Sequence, residues 1–159
     1  MDDAREIFQE HLDRVSQAVW DRDYDAVAAA ISYPHRIGMP EGPGYIAPDA
    51  EAMKGHAKAF RESLSSMGAT AYHRICRDAA FMANDRIEGR HVTYILSGGT
   101  YLVDPYPASM TLILKNGVWL SSEVAIGVRY SVLLYGSVLD RGDDSLPRED
   151  DKPSPGESS

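Results

Sequence analysis

Five histidines, at positions 11, 35, 56, 73 and 91, are the side chains of this sequence that could serve acid–base or metal chemistry. None stands three or four residues from another, the spacing at which helical histidines share a metal ion, and no local carboxylate motif accompanies them. The single cysteine, Cys76, can form neither an intramolecular disulfide nor a cysteine-based zinc site. The spacing therefore predicts no metal site, and no cofactor is expected.

His91 is the first candidate for a general base. The segments on either side of Asn84-Asp85 have the pattern of two paired strands, which would place His91 roughly opposite Arg77 or Asp78. An aspartate beside a histidine fixes its tautomer and raises its pKa, as in many general bases. His91 and Asp78 are therefore candidate catalytic residues. The alternative is a packed histidine that is satisfied by a backbone carbonyl.

Glu123 is the second candidate. A two-residue turn at Asn116-Gly117 would place Glu123 on the same sheet face as Met110, Leu112 and Leu114. A carboxylate on an apolar inner face must be paired or desolvated, and it could then act as an acid or base in a pocket. The alternative is a glutamate at a rim or interface, close to a lysine or arginine.

Composition excludes several other functions. The net charge of −8 argues against nucleic acid or an anionic membrane surface as the main partner. No G-x-S-x-G motif is present, and the paired glycines of "LSGGTY" do not lie between a strand and a helix, so neither a serine hydrolase nor a phosphate loop is indicated. The N-terminus has no apolar signal core, and no apolar run is long enough to span a membrane, which predicts a cytoplasmic protein.

Three helices are indicated. Apolar residues recur at helical spacing in the first and third, and Asp23 and Asp49 are suited to cap the second and third. Gly68 is placed to end the third helix in a left-handed conformation. The apolar seams consist of Phe8, Leu12, Val15 and Val19 in the first helix, and of Met53, Ala57, Phe60, Leu64 and Met67 in the third.

Long strands follow Gly68, and both faces of these strands are largely apolar. A sheet with one face in solvent would alternate apolar with polar residues. One face is therefore expected to pack on the helices and the other on a second copy of the chain. The final segment, 140–159, has seven acidic and three basic residues and is rich in proline, serine and glycine. Its composition predicts a disordered acidic tail after a domain spanning 1–139.

The stretch "YPHRIGMPEGPG", Tyr33 to Gly44, predicts a short edge strand and a turn. Proline is tolerated at the start or edge of a strand, and the later glycines and prolines suit a turn toward "YIA". His35 shares parity with Ile37 and Met39, and this face is expected to point inward.

The order of elements resembles the nuclear transport factor 2-like superfamily over roughly residues 3–135. The segments that carry the resemblance are "WDRDYDAVAAAI", similar to the second helix of that family, and "LILKNGVWLSSEVAI", similar to its penultimate hairpin. The resemblance implies an α+β fold in which a curved antiparallel sheet wraps around about three helices and forms a cone with a pocket. It also implies homodimers through the outer sheet face.

Members of this superfamily include binding proteins and cofactor-independent acid–base enzymes such as isomerases, dehydratases and cyclases. The resemblance thus predicts a protein that binds a small, mostly apolar, oxygenated molecule, with an enzyme or a non-catalytic dimerisation module as the alternatives. Nine tyrosines against three phenylalanines suit such a ligand, or equally an interface. The candidate ligand-binding residues are His35, His73, His91, Tyr94, Tyr101 and Tyr106.

Overall fold

A computed structural model describes residues 3–39 and 43–126 of the chain. Three helices in these ranges are α1 (Asp3–Trp20), α2 (Tyr24–Ala29) and α3 (Ala50–Ser66). The strands are β1 (Ile31–Gly38), β2 (Tyr45–Ala47), β3 (Ala71–Ala83), β4 (Arg86–Ser97), β5 (Thr100–Tyr101), β6 (Tyr106–Lys115) and β7 (Val118–Ile126). The predicted domain boundary at 139 and the acidic segment 140–159 lie outside the described residues.

The helix caps are those that the sequence predicts. The side chain of Asp23 accepts a hydrogen bond from the backbone N of Ala26 at 3.2 Å, and Asp49 accepts one from Ala52 at 2.9 Å. Each bond satisfies one of the amide groups that a helix N-terminus leaves free. Gly68 follows α3 with a φ of 83°, a left-handed conformation that glycine adopts without strain.

The sheet is curved and open, with the order β2-β1-β7-β6-β4-β3 and with β5 added beside β4. Its neighbouring strands are antiparallel except for β1 and β7, which run parallel. The predicted α+β class is confirmed, and the sheet differs from the prediction in this one parallel pair. Residues 33–38 belong to β1, in which His35 pairs with Ala47 of β2. The prediction of an edge strand here is wrong, because β1 lies between β2 and β7, and β2 is the edge strand.

Two irregularities in the ladders decide which side chains point inward. On β3 the register shifts between Cys76 and Asp78, so that Arg77 has no partner of its own on β4. On β7 it shifts between the pairs Leu112–Ser121 and Thr111–Glu123. One extra residue moves every later side chain of the strand to the opposite face.

The helices pack on the inner face of the sheet in two hydrophobic clusters. The larger is built from α1, α2, α3 and the sheet, and the smaller includes Phe8 and Leu12 of α1 with Ile87 and Leu112. Phe8 lies directly against Gly89 of β4, where a Cβ atom would stand 2.7 Å from the ring. The absence of a side chain at position 89 thus lets α1 approach the sheet closely. None of the described helices has both the length and the apolar character that a membrane span requires.

Candidate functional site

A cavity of about 130 Å³ lies between the helices and the inner face of the sheet. Apolar side chains from every helix and from β1, β6 and β7 form most of its wall. The residues that line it are His11, Val15, Val19, Val27, Ile31, His35, Ile37, Met53, His56, Ala57, Phe60, Tyr72, Arg74, His91, Thr93, Met110, Ser121, Val124 and Ile126.

The polar part of this lining consists of hydroxyls, histidines and one arginine. The four histidines come from four different elements: His11 from α1, His35 from β1, His56 from α3 and His91 from β4. No aspartate, glutamate or lysine is among the described residues of the wall. Among the described wall residues, proton transfer near neutral pH therefore falls to histidine, and the hydroxyls and the arginine can add hydrogen bonds.

His35 is held by a hydrogen bond across the β1–β7 pair. Its Nε2 lies 3.0 Å from the Oγ of Ser121, and both side chains are buried. Its Nδ1 is buried and has no hydrogen-bond partner among the described residues. Burial, with a smaller effect of His56, lowers the pKa of His35 to about 4, because a charged ring would lose its hydration. The ring is therefore neutral at physiological pH.

His91 lies in the middle of β4, 2% exposed, with its ring 6.1 Å from that of Phe8. Its Nδ1 is also buried without a partner among the described residues. Burial and then the positive charge of Arg74 lower its pKa to about 3. The same two causes, in the same order, lower the pKa of His11 to about 3. Three neutral imidazoles therefore border the cavity.

Arg74 carries the positive charge of the cavity wall. It stands on β3 opposite Thr93, and its Nε donates a hydrogen bond to the Oγ of Ser16 at 2.7 Å. Its Nη2 lies 3.4 Å from the carbonyl of Leu12. Both acceptors are neutral groups of α1, and no carboxylate of the described residues forms a salt bridge with Arg74.

Two of the predicted ligand-binding residues, His35 and His91, lie in the cavity wall. Tyr106 is fully buried in the larger hydrophobic cluster and does not line the cavity. His73 and Tyr94 are paired across β3 and β4 on the outer face, and the ring of the exposed Tyr101 lies 6.3 Å from that of Tyr94. These three side chains do not border the cavity.

The predicted pairing of His91 with Asp78 or Arg77 is wrong. His91 pairs with Cys76, because the irregularity at Arg77 shifts Asp78 to a position opposite Arg90. Asp78 points outward and is ion-paired with Arg90, whose hydrogen bond lowers the pKa of Asp78. The expected raised pKa of His91 is accordingly replaced by a lowered one.

The predicted face of Glu123 is also wrong. The register shift on β7 pairs Glu123 with Thr111 and Arg36, whereas Met110 pairs with Val124. Glu123 is exposed on the outer face, and Ser121 and Val124 take the inward positions.

Sequence reasoning did not select His11, His56, Arg74 or Ser121 as site residues. His11 and His56 border the apolar seams of their helices, a pattern that fits a surface position equally well. The sequence does contain a signal for Arg74. It lies two residues from Tyr72 and from Cys76 on the same strand face, and both of these neighbours are buried. The described residues contain no group of three or more histidine, cysteine, aspartate or glutamate side chains placed to hold a metal ion.

No family model matches the sequence, and no curated protein sequence matches it. Solved structures do resemble it. A nuclear transport factor 2-like protein with a cystatin-like fold from Novosphingobium aromaticivorans is 13% identical with a TM-score of 0.60, the match covering 86% of this chain and 89% of that one. A nuclear transport factor 2-like protein of unknown function from Shewanella oneidensis is 10% identical with a TM-score of 0.58, and the match covers 76% of this chain and 96% of that one.

A third similar structure, a provisionally assigned scytalone dehydratase from Novosphingobium aromaticivorans, is 11% identical with a TM-score of 0.55, covering 76% of this chain and 80% of that one. The chain therefore has the nuclear transport factor 2-like fold, and this prediction is confirmed. Because a shared fold hosts many activities, the function has to be argued from the cavity.

Proposed function

We propose that the protein binds a small, mostly apolar, oxygenated molecule in the cavity between its helices and sheet. The observation that carries this proposal is that His35 and His91 lie in a mostly apolar wall and that the buried Nδ1 atom of each has no hydrogen-bond partner among the described residues. Buried polar atoms are almost always hydrogen-bonded, and leaving one without a partner costs about 1–3 kcal/mol. A bound ligand with an oxygen atom would supply the partner.

The size of the cavity limits the ligand. An apolar cavity of roughly 150 Å³ in another protein accepts benzene, and this one measures about 130 Å³. The ligand is thus about the size of a single ring with at most a small substituent. Neutral imidazole offers one donor and one acceptor nitrogen, so carbonyl and hydroxyl groups both suit the histidines.

Benzaldehyde is a suitable probe, followed by ligand-observed NMR. We expect binding by the unmodified chain and weaker binding by His91→Leu, which removes the ring nitrogens from the wall. His73→Leu is the matched control, because His73 is exposed on the outer face, and it should bind as the unmodified chain does. Equal binding by the two variants, or no binding at millimolar concentration, would contradict the proposal. Mass spectrometry of molecules extracted from the purified protein would then identify the natural ligand.

A cofactor-independent acid–base enzyme of the isomerase, dehydratase or cyclase type is the second candidate. The observation in its favour is that His35 and His91 each have a buried Nδ1 atom with no hydrogen-bond partner in the described part of the chain. Against it, catalytic groups work best with a pKa near the operating pH, whereas the pKa of His91 is lowered to about 3. A neutral histidine of this kind is a better hydrogen-bond donor than a base.

The two candidates differ in proton transfer. An enzyme of this type would exchange the protons next to the carbonyl of a small ketone such as cyclohexanone with deuterated solvent, which proton NMR detects. Exchange that disappears in His91→Gln and persists in His73→Gln would favour the enzyme. Binding without exchange would favour the binding protein.

A further inference from the structure

We infer that the ligand of the cavity is an organic anion, a small aromatic or aliphatic carboxylate whose acid group pairs with Arg74. This inference rests on the proposed binding function and specifies its ligand class. It depends on the charges of the cavity wall, on the anchoring of Arg74 and on the state of the neighbouring histidines.

The described wall of the cavity holds one permanent charge, and it is positive. Arginine side chains carry a positive charge in proteins, and the described wall has no carboxylate to compensate that of Arg74. Arg74 is half-buried, and its guanidinium carbon lies 6.0 Å from the centre of the Tyr72 ring. A cation partly removed from water is costly unless it is paired with an anion. The ion pairs found among the described residues involve Lys54, Arg86 and Arg90 instead.

The guanidinium is fixed in position without being neutralised. Ser16 and Leu12 of α1 accept hydrogen bonds from Nε and Nη2. The Nη1 nitrogen has no acceptor among the described residues. A side chain that is already oriented loses little conformational entropy on binding, and its planar group matches the geometry of a carboxylate.

The nearby histidines are suited to assist Arg74 in binding a carboxylate. Arg74 and burial together keep His91 and His11 neutral, so each ring can donate one hydrogen bond to a carboxylate oxygen without adding a second buried charge. The apolar remainder of the wall would cover the body of the ligand. The net charge of −8 makes general attraction of anions unfavourable, so a preference for an anion would have to arise locally.

Benzoate and benzamide test this inference, because they have the same shape and the same number of non-hydrogen atoms but differ in charge. Titration calorimetry or ligand-observed NMR gives the affinity of each. We expect the unmodified chain to bind benzoate at least about tenfold more tightly than benzamide, as is typical for hydrogen bonds to charged groups. Arg74→Met should abolish this preference, so that the variant binds benzoate and benzamide with affinities within about threefold of each other.

The matched control is Arg90→Met, which removes one positive charge from the outer face and should keep the preference. Arg74→Lys retains the positive charge and should keep part of the preference for benzoate. If benzamide binds as well as benzoate, or if Arg74→Met keeps the preference, the anion inference is overturned while the proposed binding function stands. If neither compound binds, both are refuted. Should Arg74→Met fail to fold, the comparison of the two compounds on the unmodified chain still decides.

Discussion

The Nε2 of His35 lies 3.0 Å from the Oγ of Ser121, and this hydrogen bond joins β1 to β7 inside the cavity wall. Both side chains are buried, so neither has water as an alternative partner. We expect Ser121→Ala to lower the free energy of unfolding by about 1–3 kcal/mol, because the variant leaves a second ring nitrogen of His35 without a partner. Urea unfolding measures the change.

Ser109→Ala is the control for this substitution. Ser109 is exposed on β6, and its replacement should change stability by less than about 0.5 kcal/mol. Equal losses in the two variants would show that the bond between His35 and Ser121 contributes nothing of its own.

Stability should decrease as the pH falls below about 6.5. The pKa values of His11 and His91 are about 3 and that of His35 is about 4, against 6.5 for an unperturbed histidine. At a pH between the folded and the unperturbed pKa, these histidines bind protons only when the chain unfolds. The stability that comes from keeping them neutral is therefore fully present above about pH 6.5 and is lost as the pH falls from there toward the folded pKa values. Each histidine contributes a slope of about 1.4 kcal/mol per pH unit.

Urea unfolding at about pH 7.5 and about pH 5 measures this loss. His91→Gln should show a shallower dependence on pH than the unmodified chain. His73→Gln, altered at an exposed position, should retain the full dependence. Stability that stays constant between these two pH values would refute the neutral state of the buried rings.

The contact between Phe8 and Gly89 predicts a sharp effect of one methyl group. A Cβ at position 89 would lie 2.7 Å from the Phe8 ring and 2.8 Å from the carbonyl of Asp78, so either α1 or the sheet must move. We expect Gly89→Ala to cost about 1–3 kcal/mol, as overpacking typically does. Thermal or urea unfolding detects a change of this size.

Gly55 offers the opposite case within the same chain. It lies in α3, and a Cβ there would meet no atom within 4 Å. Gly55→Ala should stabilise the protein by up to about 1 kcal/mol, because alanine favours the helical conformation. A tolerated Gly89→Ala would mean that α1 packs less closely on β4 than the structure shows.

Homodimer formation through the outer face of the sheet remains a prediction. Ile75 is 46% exposed there and Tyr101 is 55% exposed, and the Tyr101 ring lies 6.3 Å from that of Tyr94. We expect sedimentation to give about twice the chain mass of 17.5 kDa. Ile75→Asp should shift the protein toward the monomer.

Ile46→Asp is a matched control for this shift, because Ile46 is equally exposed but lies on β2 at the opposite edge of the sheet. A monomer at high protein concentration would rule out the dimer.

The fold could be predicted because its signals are local. Helix caps such as Asp49, apolar seams at helical spacing and the Asn116-Gly117 turn each act over a few residues. The inward side chains of the sheet could not all be predicted, because a single extra residue reverses parity. For this reason Glu123 lies on the outer face and not on the predicted inner one, and Asp78 pairs with Arg90 and not with His91.

The cavity was harder to predict than the fold or the inward side chains of the sheet. Its histidines are spread over the chain from position 11 to position 91 and meet only when the sheet curves around the helices. The spacing of these histidines in the sequence does not predict that they lie close together. The inward position of His35 was expected from strand parity. Parity alone did not assign a face to His91, because both faces of its strand are largely apolar, and the positions of His11 and His56 depended on how the helices rotate onto the sheet.

The parallel pairing of β1 with β7 determines when the cavity can exist. These strands are far apart in the sequence, with His35 and Ser121 separated by 86 positions, and Ser121 bonds both to the side chain of His35 and to the carbonyl of Ala30. Closing a long loop costs entropy, and contacts between distant segments slow folding, so we expect this strand pair to form late. During synthesis the histidines of α1, β1, α3 and β4 emerge before the strand that encloses them. We therefore expect the chain to acquire its ligand only after β7 has joined the sheet.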